Sequence, residues 1–238
     1  MTEEESIKIK ARIIEIDDKL RTADDIKRNQ ACSEAISLIQ VLNNDDLKDE
    51  IRKMIVFHLI DASREQEAKQ CIDELIQSND YFYKLNGHHA YIFYCRRFEN
   101  DKLENAILLT KQLAKRNNHK ADFAVACLEL AKYQYKTNLF DDCINTLIDV
   151  ILISDELHNV RFLMAAKYYT ALALNKKGQK QMALEYLRDV SDLAYDTRSQ
   201  HAAMFSEIKR ASILNDVGRT EETINILNQW CNNFEIEL

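Results

Sequence analysis

The chain has 238 residues, of which 46% are apolar and 30% charged, and its formal net charge at pH 7 is -7. An apolar fraction of this size builds a substantial core, which excludes a disordered chain. The acidic balance argues against a nucleic-acid binder, which needs clustered cations, and against docking on anionic lipid. Three Gly and no Pro indicate an all-α fold, because β-rich folds need these residues at turns.

Apolar residues recur at helical spacing along the chain and predict a series of helices. The expected helices span 5–22, 27–43, 46–62, 64–79, 82–99, 103–117, 120–137, 140–154, 158–177, 180–196, 199–217 and 219–235. Short polar linkers such as NNDD and DTRSQ separate them, and none is long enough to suggest a domain boundary. We therefore expect one domain over 1–238 made of helical hairpins at 5–43, 46–79, 82–117, 120–154, 158–196 and 199–235.

Two segments forty residues apart are alike, LALNKKGQKQMALEYL at 172–187 and SILNDVGRTEETINIL at 212–227. Each has a Gly followed five positions later by a small residue. Working back along the chain, the same pairing gives Gly218–Thr223, Gly178–Ala183, Asn138–Cys143, Asp101–Ala106, Ser63–Ala68 and, more weakly, Gln30–Ala35. The first member of each pair is expected to end a helix in the left-handed conformation, which Gly adopts freely and Asn or Asp tolerate.

The small residues predict that two antiparallel helices approach closely within each unit. Twelve positions before the later anchors lie Ala131, Ala171 and Ala211, whereas Tyr94 and Val56 break this trend in the earlier units. Anchors 33 to 40 residues apart are typical of helical repeat arrays. A single hairpin cannot bury its apolar face alone, so we expect the hairpins to stack into one continuous core.

The unit resembles a tetratricopeptide repeat. The residues that carry the resemblance are the small Ala171 in the first helix, Gly178 at the turn, Ala183 in the second helix and Leu187 four residues later. The resemblance implies a right-handed α-solenoid, a superhelix of about six antiparallel hairpins, of a long variant with a repeat of about 40 residues. A related solenoid like those of proteasome-lid subunits remains the alternative.

The chain also departs from the family pattern. It has no Pro after the second helices, and slots usually filled by large apolar residues hold Lys167, Thr170, Glu207 and Arg210. Some family members grip the C-terminal carboxylate of a chaperone with a set that includes an Asn, but that slot holds Ile92. We therefore do not predict a chaperone-tail clamp.

No catalytic or cofactor-binding motif is present. The scattered Gly residues cannot form a phosphate-binding loop, and the chain lacks G-x-S-x-G and H-E-x-x-H. His88 and His89 are adjacent, and neighbours on a helix point about 100° apart, so we expect one packed and one solvated ring and no metal site. We predict a protein without enzymatic activity, cofactor or metal.

The cysteines and the N-terminal segment indicate the compartment in which we expect the protein. The six cysteines form no C-x-x-C pair, and we interpret them as small buried residues in a reducing compartment. The segment MTEEESIKIKARIIE contains no apolar signal core, and no apolar run approaches the length of a membrane span. We expect a cytoplasmic protein, or a nuclear one, with no membrane partner.

The resemblance implies that the first helices of the hairpins line a concave face that holds a partner polypeptide. Aromatic residues with polar tips are efficient contact residues. Candidates on the predicted first helices are His88, Tyr91, Phe98, Lys132, Tyr135, Tyr168 and Tyr169. Tyr91, Tyr94 and Phe98 also recur at i, i+3 and i+7, which favours a core stripe for these three.

The C-terminal segment offers a second surface, because Leu227, Trp230 and Phe234 recur at helical spacing. This stripe either packs on its own hairpin or marks self-association or a docking site. The leading interpretation of function is a non-enzymatic interaction module, an adaptor or scaffold subunit. A peptide-sensing regulator and a subunit of a larger complex with a proteasome-lid-like solenoid are the alternatives.

Overall fold

The computed structural model describes the backbone of residues 3–22 and 24–233 and the side chains of residues 7–21 and 24–229. The helices are α1 (Glu3–Thr22), α2 (Asp25–Val41), α3 (Asp45–Asp61), α4 (Glu65–Gln77), α5 (Tyr81–Phe98), α6 (Leu103–Arg116), α7 (Lys120–Lys136), α8 (Phe140–Glu156), α9 (Val160–Lys176), α10 (Lys180–Asp196), α11 (Gln200–Asp216) and α12 (Thr220–Asn233). Each overlaps one predicted helix, and the described residues contain no strand. The predicted all-α fold is confirmed.

The chain folds into two compact units, residues 1–113 and 114–238. Within each unit, consecutive helices pack on one another, from α1 to α5 in the first and from α7 to α12 in the second. First helices of successive hairpins also touch, α3 with α5 and α7 with α9. That the whole chain forms one domain stays a prediction.

The second unit repeats a module of 20 residues. Its six helices start at residues 120, 140, 160, 180, 200 and 220, and α7 to α11 are each 17 residues long. A residue with positive φ stands two positions before each start, at 118, 138, 158, 178, 198 and 218. Each turn therefore has three residues, and two modules make one hairpin.

The turns share one hydrogen-bond pattern that ends a helix in the left-handed conformation. At Gly178, with φ 78°, the amide of Gln179 donates to the carbonyl of Leu174 over 3.0 Å. This six-residue closure is the Schellman motif, which satisfies carbonyls that the helix end leaves unpaired. The same closure recurs at Gly218, Asn138 and Ser63, all with positive φ, so these four predicted turn positions are confirmed.

Two predicted turn positions are wrong. Asp101 lies in a short 3₁₀ helix, Asn100–Lys102, that leads into α6, because the chain here turns without a left-handed residue. Gln30 lies inside α2, which begins earlier, where the side chain of Asp24 caps the helix by accepting from the amide of Lys27. Conversely, positive φ at Asn118, His158 and Arg198 was not predicted.

Small residues do separate the closely packed helices. Ala131, Ala171, Cys143 and Ala183 are all fully buried, as is Val56, which fills the corresponding place in the first unit. On α12, the hydroxyl of Thr223 lies 3.4 Å from the carbonyl oxygen of Ala211 on α11, to which it donates. The five cysteines with described side chains, Cys32, Cys71, Cys95, Cys127 and Cys143, are free and buried, as predicted.

Candidate partner-binding faces

The second unit brings four of the predicted partner-binding residues together where α7 meets α9. The rings of Tyr135 on α7 and Tyr169 on α9 have centroids 6.5 Å apart, and Tyr168 stands edge-on to Tyr169 at 5.7 Å. The ammonium group of Lys132 lies 5.8 Å from the centre of the Tyr169 ring. All four side chains are partly exposed, so they combine a fixed arrangement with access for a ligand.

On this face Tyr135 and Tyr168 are uncharged near neutral pH, and a nearby carboxylate partly compensates the positive charge of Lys132. Burial raises the pKa of both Tyr135 and Tyr168 above the ordinary value. The hydroxyls therefore keep their protons near neutral pH and can both donate and accept hydrogen bonds. The ammonium group of Lys132 lies 2.7 Å from a carboxylate oxygen of Glu129 on the same helix. We define these four residues, Lys132, Tyr135, Tyr168 and Tyr169, as the α7/α9 face.

In the first unit, the predicted aromatic stripe of α5 is directed toward α4. Tyr94 is only 3% exposed, and its hydroxyl donates to Glu65 of α4 over 3.3 Å. The ammonium group of Lys69, also on α4, lies 4.4 Å from the centre of the Tyr91 ring. Phe98 packs against Tyr94 at 5.1 Å. Tyr94 is thus a core residue, whereas Tyr91 and Phe98 are half-buried, and their role in partner binding stays a prediction.

A different set of aromatic residues lies where α3 meets α5, and the sequence interpretation missed it. Phe57 of α3 stands edge-on to Phe93 of α5 at 5.3 Å. The ammonium group of Lys53 lies 5.0 Å from the centre of the Phe82 ring. Phe82 is 53% and Phe93 44% exposed, which is unusual for side chains of this size. We define Lys53, Phe57, Phe82 and Phe93 as the α3/α5 face.

The two adjacent histidines are both half-buried, so the expected division into one packed and one solvated ring is wrong. Burial, followed by the neighbouring His89, lowers the pKa of His88. His88 is therefore neutral at pH 7, and its Nδ1 atom is buried without a hydrogen-bond partner. A neutral, half-buried ring can contact a ligand but contributes no charge to the site. Its role in partner binding stays a prediction.

The C-terminal candidates can be placed only in part. Leu227 on α12 is 38% exposed, whereas the side chain of Trp230 and the whole of Phe234 lie outside the described residues. Ile92, in the slot where a chaperone-tail clamp needs Asn, is 1% exposed and belongs to the core.

The described part of the chain contains neither a metal-binding cluster nor a membrane span. Where side chains are described, no three His, Cys, Asp or Glu residues converge in a way that could hold a metal ion. None of the described helices combines the length and the apolar character that crossing a membrane requires.

Comparison with known proteins shows the fold. No family model and no curated protein sequence matches the chain. A signal transduction ATPase with numerous domains from Pyrococcus horikoshii, which has a tetratricopeptide repeat sensor, matches 87% of the chain with a TM-score of 0.72 and 11% identity. The chain spans 34% of that protein's length.

A second solved structure is similar over most of both chains. It is a Podospora anserina putative kinesin light chain with nearly identical tetratricopeptide-like repeats. It matches 79% of this chain and 95% of its own, with a TM-score of 0.62 and 15% identity. Identities this low show a shared fold and nothing finer. The chain therefore has a tetratricopeptide-repeat-like solenoid fold.

Proposed function

We propose that this chain is a non-enzymatic interaction module, an adaptor or scaffold subunit, that binds a partner polypeptide along the first helices of its hairpins. We also propose that it is a long variant of the tetratricopeptide repeat. The observation that carries the functional proposal is the α7/α9 face, where the ring of Tyr169 contacts those of Tyr135 and Tyr168 and lies near the ammonium group of Lys132.

The α7/α9 face has the physical properties of a contact surface. Tyrosine buries a large area with little loss of conformational entropy and still offers a hydrogen bond. Because Tyr135 and Tyr169 pack against each other across two helices, their rings are held in place before a ligand arrives, which lowers the entropic cost of binding. The ammonium group of Lys132 can bind a carboxylate or a backbone carbonyl of an extended segment.

The α3/α5 face supports the same proposal for the first unit. Its exposed Phe82 and Phe93 can bury apolar side chains of a partner, and each buried phenyl ring contributes about 1.5–3 kcal/mol. Lys53 holds its ammonium group near Phe82 and pairs with Glu50 at 2.7 Å. Neither face offers phosphate-binding or catalytic geometry, so binding is the activity that this chemistry supports.

The peptide-sensing regulator remains the second candidate, because the Pyrococcus neighbour has a tetratricopeptide repeat sensor. The subunit of a larger complex is the third. The size of the ligand separates them. A sensor binds a short free peptide tightly, whereas a scaffold subunit binds a folded partner over a larger area than a short peptide covers.

The test uses the purified chain against a phage-displayed library of random peptides, and in parallel as bait in a pull-down read by mass spectrometry. Captured ligands are then titrated against wild type and a Lys132→Ala/Tyr169→Ala double variant. We expect this variant to bind about tenfold or more weakly, the effect of removing contact residues at the centre of a binding face.

The matched control is Arg188→Ala/Tyr195→Ala, which removes a cation and a tyrosine exposed on the second helix α10. It should bind as wild type does, and circular dichroism melting should show that both variants are folded. Equal affinity of the Lys132/Tyr169 variant and wild type for every captured ligand would refute the α7/α9 face as the binding site.

A further inference from the structure

Helix α12 exposes an apolar face that is buried on the other second helices of its unit. Leu147 on α8 and Leu187 on α10 are fully buried. Leu227 occupies the same place forty residues later, yet it is 38% exposed, and Ile224 one turn before it is 52% exposed. Helix α12 therefore carries the apolar residues of the repeat, but the described residues include no further helix that packs on them.

The structure shows what kind of helix covers this face elsewhere. On α8, Leu147 belongs to a core cluster with Ala166 of the following helix α9, and Phe162 and Tyr169 pack against the cluster. These α9 residues are spaced i, i+4 and i+7, a stripe along one side of a helix. The complement of the α12 face is therefore a helix with an apolar stripe of this spacing.

Helix α1 presents such a stripe in the open. Ile7 is 62% and Ile14 63% exposed, and Ala11 between them is also exposed. Their spacing is that of Phe162, Ala166 and Tyr169 on α9. Exposed isoleucines at i and i+7 on one side of a helix are a candidate contact face.

The ion pairs of α9 and α1 show that the two stripes have the same orientation relative to the second helix of their hairpins. On α9, Lys167 follows Phe162 by five positions and pairs with Asp189 of α10, at 2.6 Å. On α1, Arg12 follows Ile7 by five positions and pairs with Glu34 of α2, at 2.9 Å. Each stripe is therefore turned away from the second helix of its own hairpin. The exposed side of α1 therefore corresponds to the side of α9 that packs on α8.

We propose that a second copy of this chain docks head to tail, with α1 of one copy seated on α12 of the next in the way that α9 sits on α8. The exposed stripe of α1 corresponds to the α9 side, and the exposed face of α12 to the α8 side, of the contact between α8 and α9 in the second unit. Burying Ile7, Ile14, Ile224 and Leu227 removes four large apolar side chains from water, which drives association.

The charges at the rim of the interface agree with this arrangement. Where α9 covers α8, Lys177 at the end of α9 forms an ion pair with Asp141 at the start of α8. Glu221 occupies the place of Asp141 on α12 and is exposed. Arg21 near the end of α1 has a side chain that is 72% exposed. Docking would bring Arg21 of one copy near Glu221 of the next, with opposite charges.

This contact is heterologous, because the two surfaces that meet are different. Each copy keeps one free α1 face and one free α12 face, so association continues into longer chains unless a ring closes. We therefore expect the average mass of the purified protein to rise with concentration.

Sedimentation velocity over a wide concentration range tests the proposal with the full chain. Ile14→Asp blocks the α1 face, and Leu227→Asp blocks the α12 face. Each variant alone should associate about tenfold or more weakly than wild type. An equimolar mixture of the two should form a one-to-one pair and stop there, because the mixture retains one intact α1 face and one intact α12 face.

The control is Ile148→Asp, which places the same charge at a residue of α8 that is 49% exposed and lies outside both faces. It should associate as wild type does. The charge variants Glu221→Arg and Arg21→Glu do not disturb the core. Each alone should weaken association, and a mixture of the two should restore it.

A wild type that stays monomeric at every concentration would overturn the proposal and leave the α12 face to a different protein. Association that Leu227→Asp abolishes and Ile14→Asp leaves intact would overturn it in favour of a symmetric α12 pair. Loss of association in the Ile148→Asp control would overturn it in favour of non-specific contact.

Discussion

Gly178 and Gly218 stand forty residues apart with nearly the same φ, 78° and 77°. Each ends the first helix of a hairpin, and each is followed by an amide that closes the six-residue hydrogen bond back into that helix. A Cβ atom added at either position would meet no other atom within 4 Å. The glycines are therefore needed for their backbone conformation and not for lack of space.

Replacing Gly178 with Ala should lower the free energy of unfolding by about 1–2 kcal/mol. A residue with a side chain is strained in the left-handed region, and here no packing change adds to or offsets that strain. Urea unfolding followed by circular dichroism measures the effect. A stability equal to or above that of wild type would contradict this account of the turn.

Arg198 provides the counterpart, because it holds φ 55° at the equivalent position between two hairpins. Arg198→Gly relieves the strain but increases the freedom of the unfolded chain, so the net gain should be roughly 0.5 kcal/mol. The two substitutions should therefore shift the urea midpoint in opposite directions.

Gly87 on α5 should respond to Ala for a different reason. Its added Cβ would lie 2.8 Å from both the backbone nitrogen of Ile76 and the Cβ of Leu75, two residues of α4. Helix propensity alone would make Gly87→Ala stabilising by about 1 kcal/mol. Because the backbone of α4 cannot yield as a flexible side chain would, we expect instead a loss of about 1–3 kcal/mol.

The neighbouring Asn86→Ala is the control for Gly87→Ala, since it changes helix propensity at a half-buried site. It should leave urea stability within about 0.5 kcal/mol of wild type. A stabilised Gly87→Ala variant would mean that α4 and α5 do not approach as closely as the structure shows.

The buried thiols predict a loss of stability at alkaline pH. Burial raises the pKa of Cys143 from 9.0 to about 11. The unfolded chain then releases this proton at lower pH than the folded chain. The stabilising contribution of the Cys143 thiol to the free energy of unfolding is fully present below pH 9 and is lost as pH rises toward about 11.

Cys143→Ala places at this position the residue that the next repeat carries at Ala183. Its stability should fall less steeply than that of wild type between about pH 8 and about pH 10.5, by up to about 2 kcal/mol. Urea midpoints at both pH values measure this slope. Parallel declines in the two proteins would show that other groups, such as the phenols, cause the alkaline loss.

The positions of the helices follow from the sequence because two local signals agree. Apolar residues recur with the helical period, and Gly or Asn marks the turns at 138, 178 and 218. The helix boundaries near His158 and Arg198 were predicted, but the positive φ at these two residues was not, since the hydrogen bonds of the Schellman closure impose it. The prediction of a left-handed turn at Asp101 was wrong because Asp is also favoured at the start of a helix.

The candidate faces were harder to predict for a different physical reason. The periodicity of α5 places Tyr91, Tyr94 and Phe98 on one side, but only packing decides whether that side meets α4 or α3. The structure directs it to α4, through the bond from Tyr94 to Glu65, and leaves Phe82 and Phe93 beside α3. On α7 and α9, Lys132 and Tyr169 stay partly exposed, and the ring of Tyr169 also packs against the core cluster beside α8.

The 20-residue spacing of the second unit sets how this part of the chain can change length in evolution. An odd number of modules inserted or removed would reverse the direction of every later helix, whereas a pair of modules preserves it. Excising residues 140–179, for example, joins Leu139 to Lys180, which then takes the place of Phe140 at the start of a helix. Duplication and loss in this region are therefore expected in steps of forty residues.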